Sequence, residues 1–184
     1  MKAILQVEDD PNDVFFLRRA FTNAGVDNPL RVVNDGREAI DYLKGAGRFA
    51  DREQFPLPGI VFLDLKLPHV MGLDVLRWIR QESGLSLVVV LLTASAEEAD
   101  IASAYRLGAN AFLVKPSELS QLMEMAKAIK DFWLTFNMLP PQYHTERTTA
   151  DCSQAPGATH LTGANGRRRG EWPDDLKLTH KNPR

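Results

Sequence analysis

The chain alternates short apolar runs with longer stretches in which apolar residues recur every three or four positions. The runs occupy residues 3–7, 30–33, 59–63, 87–92 and 109–114. All five read as strands of a parallel sheet, and the runs at 59–63 and 87–92, without polar alternation, as strands buried on both faces. Between them, Val14, Leu17, Phe21 and Ala24 lie at helical spacing, as do Ala39, Ile40 and Leu43. The same spacing marks Leu73, Leu76 and Ile79, then Ile101, Ala104 and Tyr105. A last, longer stripe runs through Leu119, Leu122, Ala126, Ile129, Trp133 and Phe136. The order is strand then helix, five times over. That order predicts an α/β fold: a doubly wound, five-stranded parallel sheet with right-handed crossovers and helices on both faces.

End signals place the boundaries. Asp10 is positioned to cap a helix whose first residue is Pro11, with Asp13 in its first turn. Asp35 with Glu38, and Ser95 with Glu98, have capping-box spacing, and Ser117 precedes the last helix. Residues 45–58 hold Gly45, Gly47, Pro56 and Pro58 and read as a long loop. Residues 142–184 are rich in Ser, Thr, Gly, Asn and Arg, lack periodicity and cannot bury a core. The expected division is a folded unit over residues 1–140 and a polar, disordered tail over 141–184.

Composition narrows the class. With 184 residues and 44% hydrophobic content, one domain with a proper core is expected. Residues 1–140 carry 15 basic against 19 acidic residues, and residues 141–184 carry 7 against 5. Neither balance points to nucleic acid or to an anionic membrane. Cys152 is the one cysteine, so no intrachain disulfide forms and a reducing compartment fits. The opening apolar run meets acid at Glu8, too early for a signal peptide or a membrane span, so a cytoplasmic location is expected. Nothing after residue 140 is long and apolar enough for a helix-turn-helix or a catalytic domain. The Arg167-Arg168-Arg169 run is either a contact for an acidic partner or a solvated charge run.

The candidate chemistry lies at the strand ends. The first strand ends in Glu8-Asp9, the third in Asp64, the fourth in Thr93 and the fifth in Lys115. In a parallel sheet these ends share one edge, where open α/β folds place their sites. Singly, each has an ordinary role: turn former, helix-start acid, strand threonine, solvated lysine. Jointly they bring carboxylates, a hydroxyl and an ammonium together. Packed carboxylates repel, and a hard divalent cation such as Mg²⁺ offsets that with oxygen ligands. Asp9 and Asp64 are the expected direct ligands, with Glu8 close by or acting through water. Asp64 beside such a cation can attack phosphorus and become an acyl phosphate, with Thr93 and Lys115 each serving a phosphoryl oxygen.

Val7-Glu8-Asp9-Asp10, Leu63-Asp64-Leu65-Lys66-Leu67-Pro68, Leu92-Thr93-Ala94 and Lys115-Pro116 together resemble the receiver domain of two-component response regulators. The resemblance spans roughly residues 2–139 and implies a flavodoxin-like receiver fold. Glu8-Asp9-Asp10-Pro11-Asn12-Asp13, Asn34-Asp35-Gly36-Arg37-Glu38-Ala39, the loop at 45–58 and Asp131-Phe132-Trp133 look like the stand-alone receivers that serve bacterial and cyanobacterial phytochromes. By that resemblance Asp64 is the phosphoacceptor, Glu8 and Asp9 are the acidic pair, and the Lys66 carbonyl is a metal ligand. Thr93 and Lys115 become the switch hydroxyl and the site lysine. Phe112 sits where the family keeps a switch aromatic, although a core Phe is an equal reading. The Lys115-Pro116 bond resembles one that is cis in the family. Met71 departs from the pattern, standing before Gly72 where many relatives have an acid.

The function implied is a phosphorelay response regulator without an output domain. It would take its phosphoryl group from a sensor histidine kinase of phytochrome type and would not be an enzyme beyond its own phosphotransfer and dephosphorylation. The competing class is a phosphatase with an aspartyl-phosphate intermediate. Such enzymes carry Asp-x-Asp at the end of strand one, which Glu8-Asp9-Asp10-Pro11 lacks. A third class is an unphosphorylated scaffold. Met125, Phe132 and Leu139 lie off the last helix's stripe at sevenfold spacing, and Phe132, Trp133 and Phe136 are expected beyond the sheet. Together with the resemblance, they predict a homodimer built on that helix, unless the 45–58 loop or the tail covers them.

Overall fold

The computed structural model describes residues 2–138. Five strands form one sheet: β1 (Ala3–Val7), β2 (Leu30–Val33), β3 (Pro58–Leu63), β4 (Val88–Thr93) and β5 (Ala111–Val114). Their order is β2-β1-β3-β4-β5 and every ladder is parallel. Every residue of β1, β3 and β4 is buried, whereas the edge strands β2 and β5 are mostly half-buried. That is the reason the inner runs show no polar alternation. Five helices cover the sheet: α1 (Pro11–Asn23), α2 (Gly36–Lys44), α3 (Gly72–Gln81), α4 (Glu98–Arg106) and α5 (Leu119–Ile129). Among the described residues no helix is long and apolar enough to cross a membrane.

Successive strand residues point to opposite faces, so each strand feeds two cores. Ile4, Ile60, Phe62, Val88, Val90 and Leu92 pack with Leu17, Ala20 and Phe21 of α1 and Ala126 and Ile129 of α5. Leu5, Val7, Val61, Leu63, Val89 and Leu91 pack with residues of α2, α3 and α4, among them Leu43, Leu76 and Ala104. This is the arrangement, with helices on both faces of a parallel sheet, that the alternation predicts, and the flavodoxin-like fold that the resemblance implies. The strand order reverses between β1 and β3, and a crevice opens beyond the carboxyl ends at such a switch point.

Two helix starts differ from the sequence reading. α4 begins at Glu98 with Glu97 as its cap residue, so Ser95 does not cap it. The Ser95 hydroxyl instead donates to Asp100 Oδ2 at 2.9 Å, and its amide donates to Thr93 Oγ1 at 3.3 Å. α5 begins at Leu119 with Glu118 at the cap and no side-chain cap bond. Ser117 has no acid three residues later, so half of the capping box is missing. Asp10 and Asp35 do cap, accepting from the amides of Asn12 and Glu38. The Lys115–Pro116 peptide is trans, as is every peptide among the described residues, which corrects the cis bond implied by the resemblance. Trans is the ordinary preference of an X–Pro bond, by about 0.5–1 kcal/mol.

The 45–58 loop is ordered by its own side chains. It contains a 3₁₀ turn, Gly47–Phe49. Phe49 and Phe55 pack edge-on to each other and against Tyr42. The Arg52 guanidinium donates to the carbonyls of Tyr42, Leu43 and Phe55, closing the end of α2. The loop therefore packs on the α2 side of the sheet and does not cover α5.

After Ile129 the last helix widens into a π-helical stretch, Lys130–Phe136. The wider turn shifts the phase of the apolar stripe. Trp133 and Leu134 pack against the α1–α5 core, Phe132 and Phe136 are exposed, and Met125, expected off the stripe, packs inward. Leu139 and the expected tail lie outside the described residues.

Candidate functional site

Backbone pairing sets the site. Val7 of β1 is level with Leu63 of β3, so the residues that follow them, Glu8 and Asp64, emerge side by side. The Asp64 amide donates to the Val7 carbonyl at 3.1 Å and the Glu8 amide to the Val33 carbonyl at 3.0 Å. On the other flank the Lys115 amide donates to the Thr93 carbonyl at 2.8 Å. Each group is thus anchored one residue past a strand, where the ladder still fixes the main chain.

Glu8, Asp9 and Asp64 each offer a carboxylate oxygen, and these oxygens lie within 4.8 Å of one another. Glu8 and Asp64 are buried and Asp9 is exposed, so the cluster opens to solvent on one side. Three hard oxygen donors with an open side suit a divalent cation that keeps waters, as Mg²⁺ or Mn²⁺ does. Asp64 Oδ2 accepts from the Lys66 amide at 3.1 Å, which orients the carboxylate.

Lys115 reaches into the cluster from β5. Its Nζ donates to Glu8 Oε2 at 2.5 Å and to Asp13 Oδ2 at 2.7 Å, and lies 3.6 Å from Asp64 Oδ1. Burial pulls the ammonium's pKa down, but the hydrogen bonds to Asp13 and Glu8 and the charge of Asp64 outweigh it and hold it above its ordinary value. Burial lifts the Glu8 carboxyl from 4.5 to about 6, against the opposing pull of Lys115. The two shifts have opposite meanings for the ion pair. Lys115 faces three acids and stays charged; Glu8, enclosed beside Asp64, is the member that takes up a proton.

Thr93 is fully buried at the end of β4, the strand next to Asp64's own, with its hydroxyl accepting from the Ser95 amide. Phe112 is half-buried and packs against the α2–α4 face of the core. The structure therefore brings together Glu8, Asp9, Asp64 and Lys115, with Thr93 on the adjoining strand. Sequence reasoning assigned Asp13 only to the helix dipole. Its partnership with Lys115 went unread, although Asp9 and Asp13 are four residues apart and α1 starts just past the cluster.

The loop that follows Asp64 is closed by glycine. A Cβ on Gly72 would stand 2.0 Å from the Asp64 carbonyl oxygen, and the Gly72 amide donates to the Leu65 carbonyl at 3.0 Å. His69 in the same loop has φ 63°, a left-handed conformation uncommon for any residue with a Cβ.

This sheet, with acids at the ends of β1 and β3 and a lysine at the end of β5, is that of a receiver. The chain belongs to the response regulator receiver domain family, which matches residues 4–127. It is similar to response regulator Rcp1 of Synechocystis sp., with 35% identity over 140 residues, 76% of this chain and 93% of that one. The crystal structure of the Mn²⁺-bound form of Rcp1 aligns with a TM-score of 0.70 at 34% identity, covering 77% of this chain and 100% of the other. The phosphorylated cyanobacterial phytochrome response regulator RcpA aligns with a TM-score of 0.70 at 36% identity, covering 76% and 99%.

Proposed function

We propose that this receiver accepts a phosphoryl group on Asp64 from a histidine kinase of phytochrome type, with Mg²⁺ bound by Asp9, Asp64 and the Lys66 carbonyl, and with Glu8 beside the ion or reaching it through water. The observation that carries the reading is the meeting of the Glu8, Asp9 and Asp64 oxygens within 4.8 Å of one another, with the Lys115 ammonium 3.6 Å from Asp64 Oδ1. A carboxylate oxygen of Asp64 attacks phosphorus, the P–N bond to the donor imidazole breaks, and that nitrogen keeps the electron pair and takes a proton. The ion, when bound, neutralises charge between Asp64 and the incoming phosphoryl oxygens. Lys115 pairs with one phosphoryl oxygen and Thr93 donates to another once its hydroxyl turns from the Ser95 amide. The likeness to RcpA, a phytochrome response regulator, supports the kinase class.

The phosphorylated state would signal through protein contacts, with Thr93 and Phe112 as the moving parts, and the protein would act as a homodimer through exposed Phe132 and Phe136. Trp133, expected at the same interface, is half-buried against the core. Incubation with Mg²⁺ and acetyl phosphate, followed by intact mass, tests the reading. Wild type gains one phosphoryl mass; Asp64→Asn, or wild type in excess chelator, gains none. Label persisting on Asp64→Asn overturns the assignment. A phosphatase would turn the donor over continuously instead of holding one equivalent.

A further inference from the structure

Lys115 is the one cation among the described residues that touches the acidic cluster, and three carboxylates compete for it. An ammonium has three N–H donors. Two are spent on Glu8 and Asp13, at 2.5 and 2.7 Å. The distance to Asp64 Oδ1, 3.6 Å, is too long for a hydrogen bond yet short enough for attraction. Without a counter-pull the lysine would close that gap, because Glu8 and Asp64 stand side by side and a bridging ammonium satisfies both. The counter-pull comes from α1. Asp13 sits in its first turn and takes one of the ammonium's N–H donors at 2.7 Å, a bond that competes with any to Asp64.

The geometry points to Asp13 as a positioning residue that holds Lys115 back from Asp64. This rests on the phosphoacceptor reading above. Held at this distance, the ammonium leaves the Asp64 Oδ1 lone pair free to attack. Its third N–H remains available for a phosphoryl oxygen, which projects beyond the carboxylate. Donors aimed where charge will develop, not at the resting nucleophile, are the arrangement that lowers a barrier. Removal of Asp13 lets Lys115 fall onto Asp64, blunting the nucleophile and spending the third donor in advance.

The sign of the effect separates this role from a general one. Deleting an acid near the site should speed an anionic donor through simple charge relief. Release of Lys115 should slow it. With Mg²⁺ and acetyl phosphate, Asp13→Ala is expected to lower the maximal labelling rate constant about fivefold, the scale of one half-exposed charged contact, with little change in the donor concentration at half-saturation. Asp13→Asn keeps an acceptor oxygen for Lys115 and should stay within about twofold of wild type. In a Lys115→Met background Asp13→Ala should produce no slowing. Thermal melts confirm that each variant is folded. A crystal structure of Asp13→Ala should show Lys115 Nζ within hydrogen-bond distance of Asp64 Oδ1. Unchanged or faster labelling in Asp13→Ala, equal slowing without Lys115, or a lysine still 3.6 Å from Asp64 overturns the inference and leaves the phosphoacceptor reading standing. Absence of label on wild-type Asp64 overturns both.

Discussion

Gly72 and the Asp64 carbonyl are in direct contact: the hydrogen of the glycine Cα fills space where a Cβ would come within 2.0 Å of the oxygen. The start of α3 is thereby pressed against the backbone of the central acid. Gly72→Ala must push that backbone away, at a cost of about 1–3 kcal/mol by analogy with overpacked cores. Urea unfolding should register the loss. Labelling of Asp64 should fall further than the folded fraction does, because the displaced residue is the proposed nucleophile.

Thr93 should matter to the response more than to the chemistry. Its buried hydroxyl accepts from the Ser95 amide, and Ser95 in turn holds Asp100 in the first turn of α4. Thr93→Val keeps the shape but removes the hydroxyl. The variant should still take label at Asp64. Amide NMR shifts expected for wild type at Ala94, Ser95 and the start of α4 on phosphorylation should be absent from the variant. Retention of those shifts would assign the relay elsewhere.

Glu8 makes the metal-free protein sensitive to pH. Its carboxyl holds a proton up to about pH 6 in the fold, against an ordinary value of 4.5. A group bound more tightly by the folded state stabilises it while protonated. That contribution is complete below about pH 4.5 and is lost as pH rises through about 6. The loss amounts to roughly 2 kcal/mol. In chelator, wild-type stability should decline over this window relative to Glu8→Gln. Parallel profiles for the two proteins would contradict the placement of Glu8.

Phe132 and Phe136 are 56% and 77% exposed, although both are large and apolar. Replacing the pair with Ser or Gln should change stability by no more than about 0.5 kcal/mol, as for other surface sites. Sedimentation should then show the variant as a monomer and wild type as a dimer at tens of micromolar. Equal sedimentation of the two proteins removes these residues from the interface.

The strands and the strand-end residues were legible because both follow from local sequence. Ala3–Val7, apolar but for Gln6, and Val88–Thr93, apolar up to Thr93, end where the first charged or hydroxyl side chains stand. Asp10 and Asp35 cap as their spacing requires. What failed depended on contacts distant in sequence. Ser95 matches a capping box, but its hydroxyl is occupied by Asp100. Phe136 continues the stripe of α5, but the widened turn after Ile129 places Leu134 inward instead. Asp13 has the composition of a helix-start acid, and only the fold brings Lys115 to it.

Glu8 and Lys115 meet across a separation of 107 residues. No ribosome-bound chain shorter than that span contains the site, even with β1, β2 and β3 already paired. Assembly of the acid–lysine site therefore comes late, with the docking of β5 as the closing edge of the sheet. Under the proposed function, a kinase that recognised the assembled pocket would also distinguish chains in which synthesis has passed Lys115 and the last edge is in place from truncated or half-folded copies.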